Sequence, residues 1–337
     1  MTEYDPIDSP DATTIFPYHD LTAPTPADVY KARNIVRRYL PRTPLVRSET
    51  LSNVTDADVY LKREDTLPTG AFKVRGGVTI GHRLEDEFRD AGLIAASTGN
   101  HGQSVAYAGR EFDVPVTVVV PENPNPEKVA AMETFGATVV EHGADYDDAR
   151  EWAEERAAEE GYRYVHSANE PDLIAGVGTA GLEILEDLPE VDTVVCPVGG
   201  GSSAAGYCLS VGALGNAKVI GVQSEGADAT YRAFNEGHLD PREQVTTMAE
   251  GIASRVPFAL TTEIMRERLA DMRLVSEETI QKTIRTMFAN ERLIVEGASS
   301  AALGAVQEMN VSGSTVVVPV SGRNLSTTKL HYAVDDG

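Results

Sequence analysis

The stretch GLIAASTGNHGQSVAYAGREFDVPVTVVVP, residues 92–121, decides the fold class. Gly92–Ser97 is apolar and reads as a strand, Asn100–Phe112 follows as a helix, and Val116–Pro121 is again a strand. A strand, a helix and a strand without tight hairpin turns describe a parallel crossover. The alternation continues outward. Strands are expected at Val59–Arg63, Thr138–Glu141, Asp192–Val198, Lys218–Gln223 and Ser314–Val320. Helices are expected at Pro26–Leu40, Ala71–Phe88, Pro126–Phe135, Asp145–Glu160, Ser203–Leu214, Ser276–Asn290 and Ala298–Met309. The chain therefore reads as an α/β protein with mostly parallel sheets, and the number of strands calls for two or more of them. Residues 1–30 are polar and rich in Pro, Asp and Thr, and read as a partly ordered arm.

At 337 residues the chain is long enough for two domains and for a large core without disulfides or metals. No apolar run approaches the roughly 18 residues of a membrane span. The acidic start, Met1 to Pro10, is the opposite of a signal peptide, so a cytoplasmic protein is expected. The formal net charge is −23, which disfavours nucleic acid and anionic membrane as partners. Of the 29 basic residues only seven are Lys. Acid excess with Lys depletion keeps a protein hydrated in concentrated salt, where screening removes the self-repulsion, and points to a halophile. Cys196 and Cys208 form no disulfide framework and read as buried thiols, and the scattered His residues suggest no metal site.

Four segments lie where a strand meets a helix, the edge at which parallel α/β sheets bind ligands. In Thr69-Gly70-Ala71-Phe72-Lys73 a Lys stands at a helix start, where the helix dipole lowers its pKa toward that of a Schiff-base nucleophile. Ser97-Thr98-Gly99-Asn100-His101-Gly102 offers hydroxyls, an amide and helix N-terminal N–H groups to an anion. Gly199-Gly200-Gly201-Ser202 lets the backbone wrap a phosphate. Ser321-Gly322-Arg323-Asn324 places a neutral hydroxyl at a sheet edge. The glycine loop also fits the loose dinucleotide pattern Gly199-x-Gly201-x-x-Ala204, with Glu225 after the next strand. A nicotinamide dehydrogenase therefore stands as the rival class, although it leaves Lys73, Asn100 and Ser321 without roles.

Taken together and in this order, the segments resemble the fold-type-II pyridoxal-phosphate enzymes, and among them the threonine/serine dehydratases (ammonia-lyases). The resemblance runs from Arg42-Thr43-Pro44-Leu45 through Leu61-Lys62-Arg63-Glu64-Asp65 to Asn324. It implies a tryptophan-synthase-β-like fold, with residues 1–79 and 161–337 as a large cofactor domain and 80–160 as an inserted small one. It implies that Lys73 binds pyridoxal 5'-phosphate and moves protons, Phe72 packs behind the ring, and Asn100 meets the ring hydroxyl. Gly199, Gly200, Gly201 and Ser202 would hold the phosphate, and Ser321 would face the pyridine nitrogen. Ser97, Thr98, Asn100, His101 and Ala168 would receive the substrate. A Ser facing the ring does not hold its nitrogen protonated as a carboxylate would, so the ring is a weaker electron sink and β-elimination is favoured over transamination.

The activity so implied is conversion of L-threonine or L-serine to 2-oxobutyrate or pyruvate plus ammonia. Related reactions stay open: 3-hydroxyaspartate dehydration, serine racemisation and threonine synthesis. The chain departs from the family pattern at Ser202 and Arg323, each in place of a Gly, at Val74, Thr98, Gln223 and Ala229, and at Ala168 and Val177 beside the substrate. The small Ala168 predicts a pocket open to larger or more polar β-hydroxy amino acids. Thr98, Gln223 and Ala229 argue against racemase chemistry and its metal site. The chain ends soon after Ser321, so no C-terminal regulatory domain is expected, and the resemblance implies a homodimer or homotetramer.

Overall fold

A computed structural model describes residues 21–335, so the stretch Met1 to Pro10 and most of the expected arm lie outside the described residues. The strands are β1 (Leu45–Arg47), β2 (Asp58–Lys62), β3 (Leu93–Ala96), β4 (Val116–Val120), β5 (Thr138–Glu141), β6 (Arg163–Tyr164), β7 (Thr193–Pro197), β8 (Lys218–Ser224), β9 (Asp271–Val275) and β10 (Thr315–Pro319). They form two sheets. One has the order β1-β2-β10-β7-β8-β9, and the other β5-β4-β3-β6. Every pairing is parallel except the edge pair β1–β2, so the fold is α/β with parallel-dominated sheets. The central strands β3, β7 and β10 are Val- and Ala-rich and almost wholly buried, as a parallel sheet covered on both faces requires. The smaller sheet takes its last strand, β6, from just beyond residue 160.

The covering helices are α1 (Pro26–Tyr39), α2 (Glu49–Thr55), α3 (Val74–Arg83), α4 (Asn100–Phe112), α5 (Pro126–Thr134), α6 (Tyr146–Glu160), α7 (Pro171–Asp187), α8 (Ser202–Tyr207), α9 (Ala229–Glu236), α10 (Ala259–Arg268), α11 (Glu277–Thr286), α12 (Gly297–Glu308) and α13 (Thr327–Val334). Three expectations need correction. The helix expected over Ala71–Phe88 begins only at Val74, because the chain from Ala71 to Phe72 is tied to the strand-end loop after β10: Phe72 N–H donates to the Ser321 carbonyl at 2.9 Å. The helices expected over Ser203–Leu214 and Ser276–Asn290 each widen into a π-turn, at Cys208–Gly212 and Met287–Glu291.

The longest helix, α7, falls in a stretch where sequence patterning assigns no element. Residues Leu173–Ile184 are buried on every side, so no polar stripe marks their period. Gly176 and Gly76 let α7 and α3 approach closely; a Cβ at Gly176 would lie 2.6 Å from the Arg75 carbonyl oxygen. Under α3 and α7 sits a buried charge cluster. Arg75 donates to Glu64 at 2.7 and 2.9 Å and to Glu183 at 2.8 and 3.0 Å, and Lys62 lies 2.7 Å from Glu183. Thr43 completes it by donating to Glu64 at 2.7 Å. Cys196 and Cys208 are buried free thiols. No described helix is long and apolar enough to cross a membrane.

Candidate active site

A cleft of about 610 Å³ opens between the two sheets. The smaller sheet lends the β3–α4 turn and the first turns of α5 and α6, and the larger sheet lends the β7–α8 loop, residues 248–259, Glu296 and the chain after β10. The four sequence segments meet there. Phe72 and Lys73, Ser97 to His101, Gly199 to Ser203, and Ser321 with Asn324 all line the cleft.

Lys73 stands at the start of α3, and its Nζ donates to the Ser167 carbonyl and, at 2.8 Å, to Ser202 Oγ. Burial lowers its ammonium to about 7. The cause is removal from water rather than the helix dipole expected from the sequence. Lys73 Nζ lies 5.5 Å from the centroid of the Phe72 ring, which is half-buried against the core of the smaller sheet.

The glycine loop follows β7. The Thr230 hydroxyl donates to the Gly199 carbonyl at 2.8 Å, the Thr261 hydroxyl to Gly200 at 2.6 Å, and Ala205 N–H to Gly201 at 2.9 Å. With its carbonyls engaged, the loop has N–H groups left to offer an anion, at the start of α8. Gly201 sits at φ +89°, a left-handed conformation that side chains resist. A Cβ at Gly199 would lie 2.6 Å from the Gly251 carbonyl oxygen, so the loop also needs glycine to pack.

In the β3–α4 turn, Ser97 Oγ accepts from Gly99 N–H at 3.2 Å, and the first N–H groups of α4 face the cleft unpaired by the helix. His101 does less than the sequence suggests. Its Nε2 donates to the Val165 carbonyl at 2.8 Å, and burial, aided by the Lys73 charge, lowers its pKa to about 3. It is a neutral imidazole whose only N–H is spent, so its side chain offers no donor to a substrate carboxylate. Thr98 lines the same turn. Ala168 is corrected outright. It is fully buried behind Gly200, beside the half-buried Phe258, which lines the cleft and stacks its ring edge-on 4.8 Å from His166. Phe258 lines the cleft, and Ala168 does not.

Asn100 and Ser321 converge on a residue the sequence reading missed. Asn100 Nδ2 donates to Glu296 at 2.9 and 3.1 Å, and Asn324 Nδ2 donates to Asn100 Oδ1 at 2.6 Å. Ser321 Oγ donates to Glu296 Oε1 at 3.3 Å and lies 3.0 Å from Ser299 Oγ. Burial raises the Glu296 carboxyl to about 7, with the hydrogen bonds from Asn100 and Ser321 only partly opposing it. A usable signal was present: a lone acid in the apolar run Leu293-Ile294-Val295-Glu296-Gly297-Ala298. At the mouth, Glu250 pairs with Lys128 and, at 2.7 Å, with Lys329, while Arg255 pairs with Asp147. No cluster of metal-ligating side chains occurs among the described residues.

A parallel α/β pair of sheets with a desolvated Lys opposite a glycine-loop anion cradle defines a class of enzymes that bind a phosphorylated aldehyde. Residues 36–322 match the family model described as pyridoxal-phosphate dependent enzyme, and the chain belongs to that family. It is 36% identical to an L-threonine ammonia-lyase of Thermotoga maritima, over 92% of this chain and 78% of that protein. It superposes on the processed form of threonine deaminase isoform 2 from Solanum lycopersicum with a TM-score of 0.86 at 30% identity, covering 93% and 89% of the two chains. A serine racemase from Dictyostelium discoideum is also similar, with a TM-score of 0.84 at 29% identity, covering 90% and 100%. The residues present fit the cofactor. An aldehyde condenses with an unprotonated amine, which Lys73 provides, and its phosphate needs N–H donors, which the loop Gly199 to Ser202 retains. The dehydrogenase alternative is set aside, because the family to which the chain belongs depends on pyridoxal phosphate.

Proposed function

We propose that this chain deaminates L-threonine and L-serine by β-elimination, releasing 2-oxobutyrate or pyruvate and ammonia. The observation that carries the reading is Lys73, an amine near neutrality inside the cleft, 2.8 Å from the hydroxyl that closes the glycine loop. The likeness to threonine ammonia-lyases and threonine deaminases supports the choice of substrate.

When bound, pyridoxal phosphate supplies an electron sink for the charge left at Cα. Lys73 would hold it, Gly199, Gly200, Gly201 and Ser202 its phosphate, Phe72 one face of its ring, Asn100 the ring hydroxyl and Ser321 the ring nitrogen. Lys73 Nζ, uncharged for much of the time at neutral pH, takes the Cα proton as a general base. The same amine, or Ser202 Oγ beside it, returns a proton to the departing β-hydroxyl. The substrate carboxylate is received by the N–H groups at the start of α4 and the hydroxyls of Ser97 and Thr98.

Closure of the cleft over substrate would keep water from the reacting centre. In this reading, residues 80–160 move as a small domain against 1–79 and 161–337, and the pairs Lys128–Glu250 and Asp147–Arg255 join the two across the cleft mouth. The strongly acidic, Lys-poor composition supports a cytoplasmic enzyme of a salt-adapted organism. The same family likeness supports a homodimer or homotetramer.

The test is 2-oxo acid release from L-threonine by the purified protein with pyridoxal phosphate in molar KCl. Release that disappears in Lys73→Ala is the expected result. A folded, yellow protein that releases nothing from threonine or serine would overturn the reading.

A further inference from the structure

We infer that Glu296 is a positioning residue that sets the hydrogen-bonding direction of Asn100 and Ser321, the two side chains assigned to the cofactor ring. The inference rests on the functional reading above. Ser299 spends its single proton on the Gly322 carbonyl at 2.9 Å and accepts from Gly322 N–H at 3.0 Å. In the 3.0 Å contact between the two serines, Ser321 is therefore the donor, and its proton has only Ser299, Glu296 and the cleft to choose from.

The two protonation states of Glu296 direct that choice. Ionised, Glu296 draws the Ser321 proton to Oε1, and Ser321 shows the cleft a lone pair. Protonated, Glu296 keeps Oε2 as the acceptor for Asn100 at 2.9 Å and gives the proton on Oε1 to Ser321 Oγ. The Ser321 proton is then free to turn to the cleft. A donor matches an unprotonated pyridine nitrogen and an acceptor matches a protonated one. Glu296 thereby decides which form of the ring the protein favours, and with it the strength of the electron sink.

Glu296 is placed to change state. It is 7% exposed, and among the described residues no cation contacts its carboxyl. Burial raises it to about 7. The charged groups that face it are Lys128 from α5, which favours ionisation, and Glu250 from residues 250–252, which opposes it. Lys329 from α13 pairs with Glu250.

Two readouts test this. Carboxyl-stretch infrared difference spectra of the full chain, with and without pyridoxal phosphate, are recorded from about pH 5 to about pH 9. We expect a protonated buried carboxyl band that ionises near neutrality and is missing in Glu296→Gln. In the holoenzyme, kcat against pH carries the ionisation of Lys73 near neutrality in both proteins, and Glu296→Gln should shift that profile, while KM for threonine changes less than about threefold. A wild-type pH profile in the variant, or the absence of such a band, overturns the inference. If Glu296→Gln does not fold, Glu296→Asp withdraws the carboxyl by one methylene, and an unshifted profile there overturns it equally. Should the wild type not turn over threonine at any pH, the functional reading fails by itself. The infrared band and the pH dependence of the bound cofactor's absorbance then still decide the role of Glu296.

Discussion

Two buried glutamates stand in contrasting company. Glu183, on α7, faces Arg75 and Lys62. Glu296, at the cleft, faces the amide of Asn100 and the hydroxyl of Ser321. Burial pushes both carboxyls up. At Glu183 the charge and hydrogen bonds of Arg75, joined by Lys62, overturn that push and hold it at about 2. At Glu296 neutral donors cannot, and it rests at about 7. Hydrogen bonds satisfy a buried carboxylate, but an opposite charge is what keeps it ionised. The first arrangement serves structure and is indifferent to physiological pH. The second places an ionisation where a reaction can use it.

The contrast breaks most visibly at Arg75. Arg75→Met leaves Glu64 and Glu183 buried without their main cation, and should cost about 3 to 5 kcal/mol in denaturant unfolding at neutral pH. The depressed Glu183 carboxyl contributes stability above its usual 4.5 that is lost as pH falls toward 2, so the wild type should lose this part in acid and the variant should have less to lose. Equal stability of variant and wild type at neutral pH would mean the cluster is not held by charge.

Glu296→Gln should act with the opposite sign. A carboxyl raised from 4.5 to about 7 loses stability as pH rises between those values, by up to about 3 kcal/mol. Without bound cofactor, the glutamine variant should match the wild type near pH 5 and exceed it near pH 8 in thermal unfolding. A variant less stable at the higher pH would show that the ionised carboxylate is well solvated. Gly322→Ala sharpens the same point sterically. Its Cβ would lie 2.6 Å from Glu296 Oε1, so the acid must move away from Asn100 and Ser321. A loss of about 1 to 3 kcal/mol is expected, together with a displaced Glu296 ionisation. The smallest effect belongs to the cleft mouth. Glu250 is half exposed, and Lys128→Met should change stability by no more than about 1 kcal/mol, less in molar KCl.

Local patterning found much of this molecule. The helix at Asn100–Phe112 and the strand Thr138–Glu141 occur as read, and Asn100, the glycine loop and Ser321 fall just beyond strand ends, while Lys73 stands at the start of α3, well past the end of β2. Elsewhere patterning failed for identifiable reasons. Helix α7 is buried all round and rich in glycine, so it shows neither stripe nor propensity. The small Ala168 predicts room in the pocket, yet it is fully buried and lies off the cleft, which Phe258, 90 residues later, lines. The resemblance implies that His101 receives the substrate, yet the Val165 carbonyl takes its N–H.

What the sequence by itself determined is the alternation of strand and helix and the kinds of side chain set at each strand end, since period and turn chemistry act over a few neighbouring residues. What only the tertiary structure decided is which partner each of those side chains meets. Nothing in the residues beside Glu183 and Glu296 says that one will find an arginine and the other only an amide and a hydroxyl. Their ionisation depends on partners such as Arg75 and Asn100, each brought from more than a hundred residues away, and on the loss of water that only the folded core imposes.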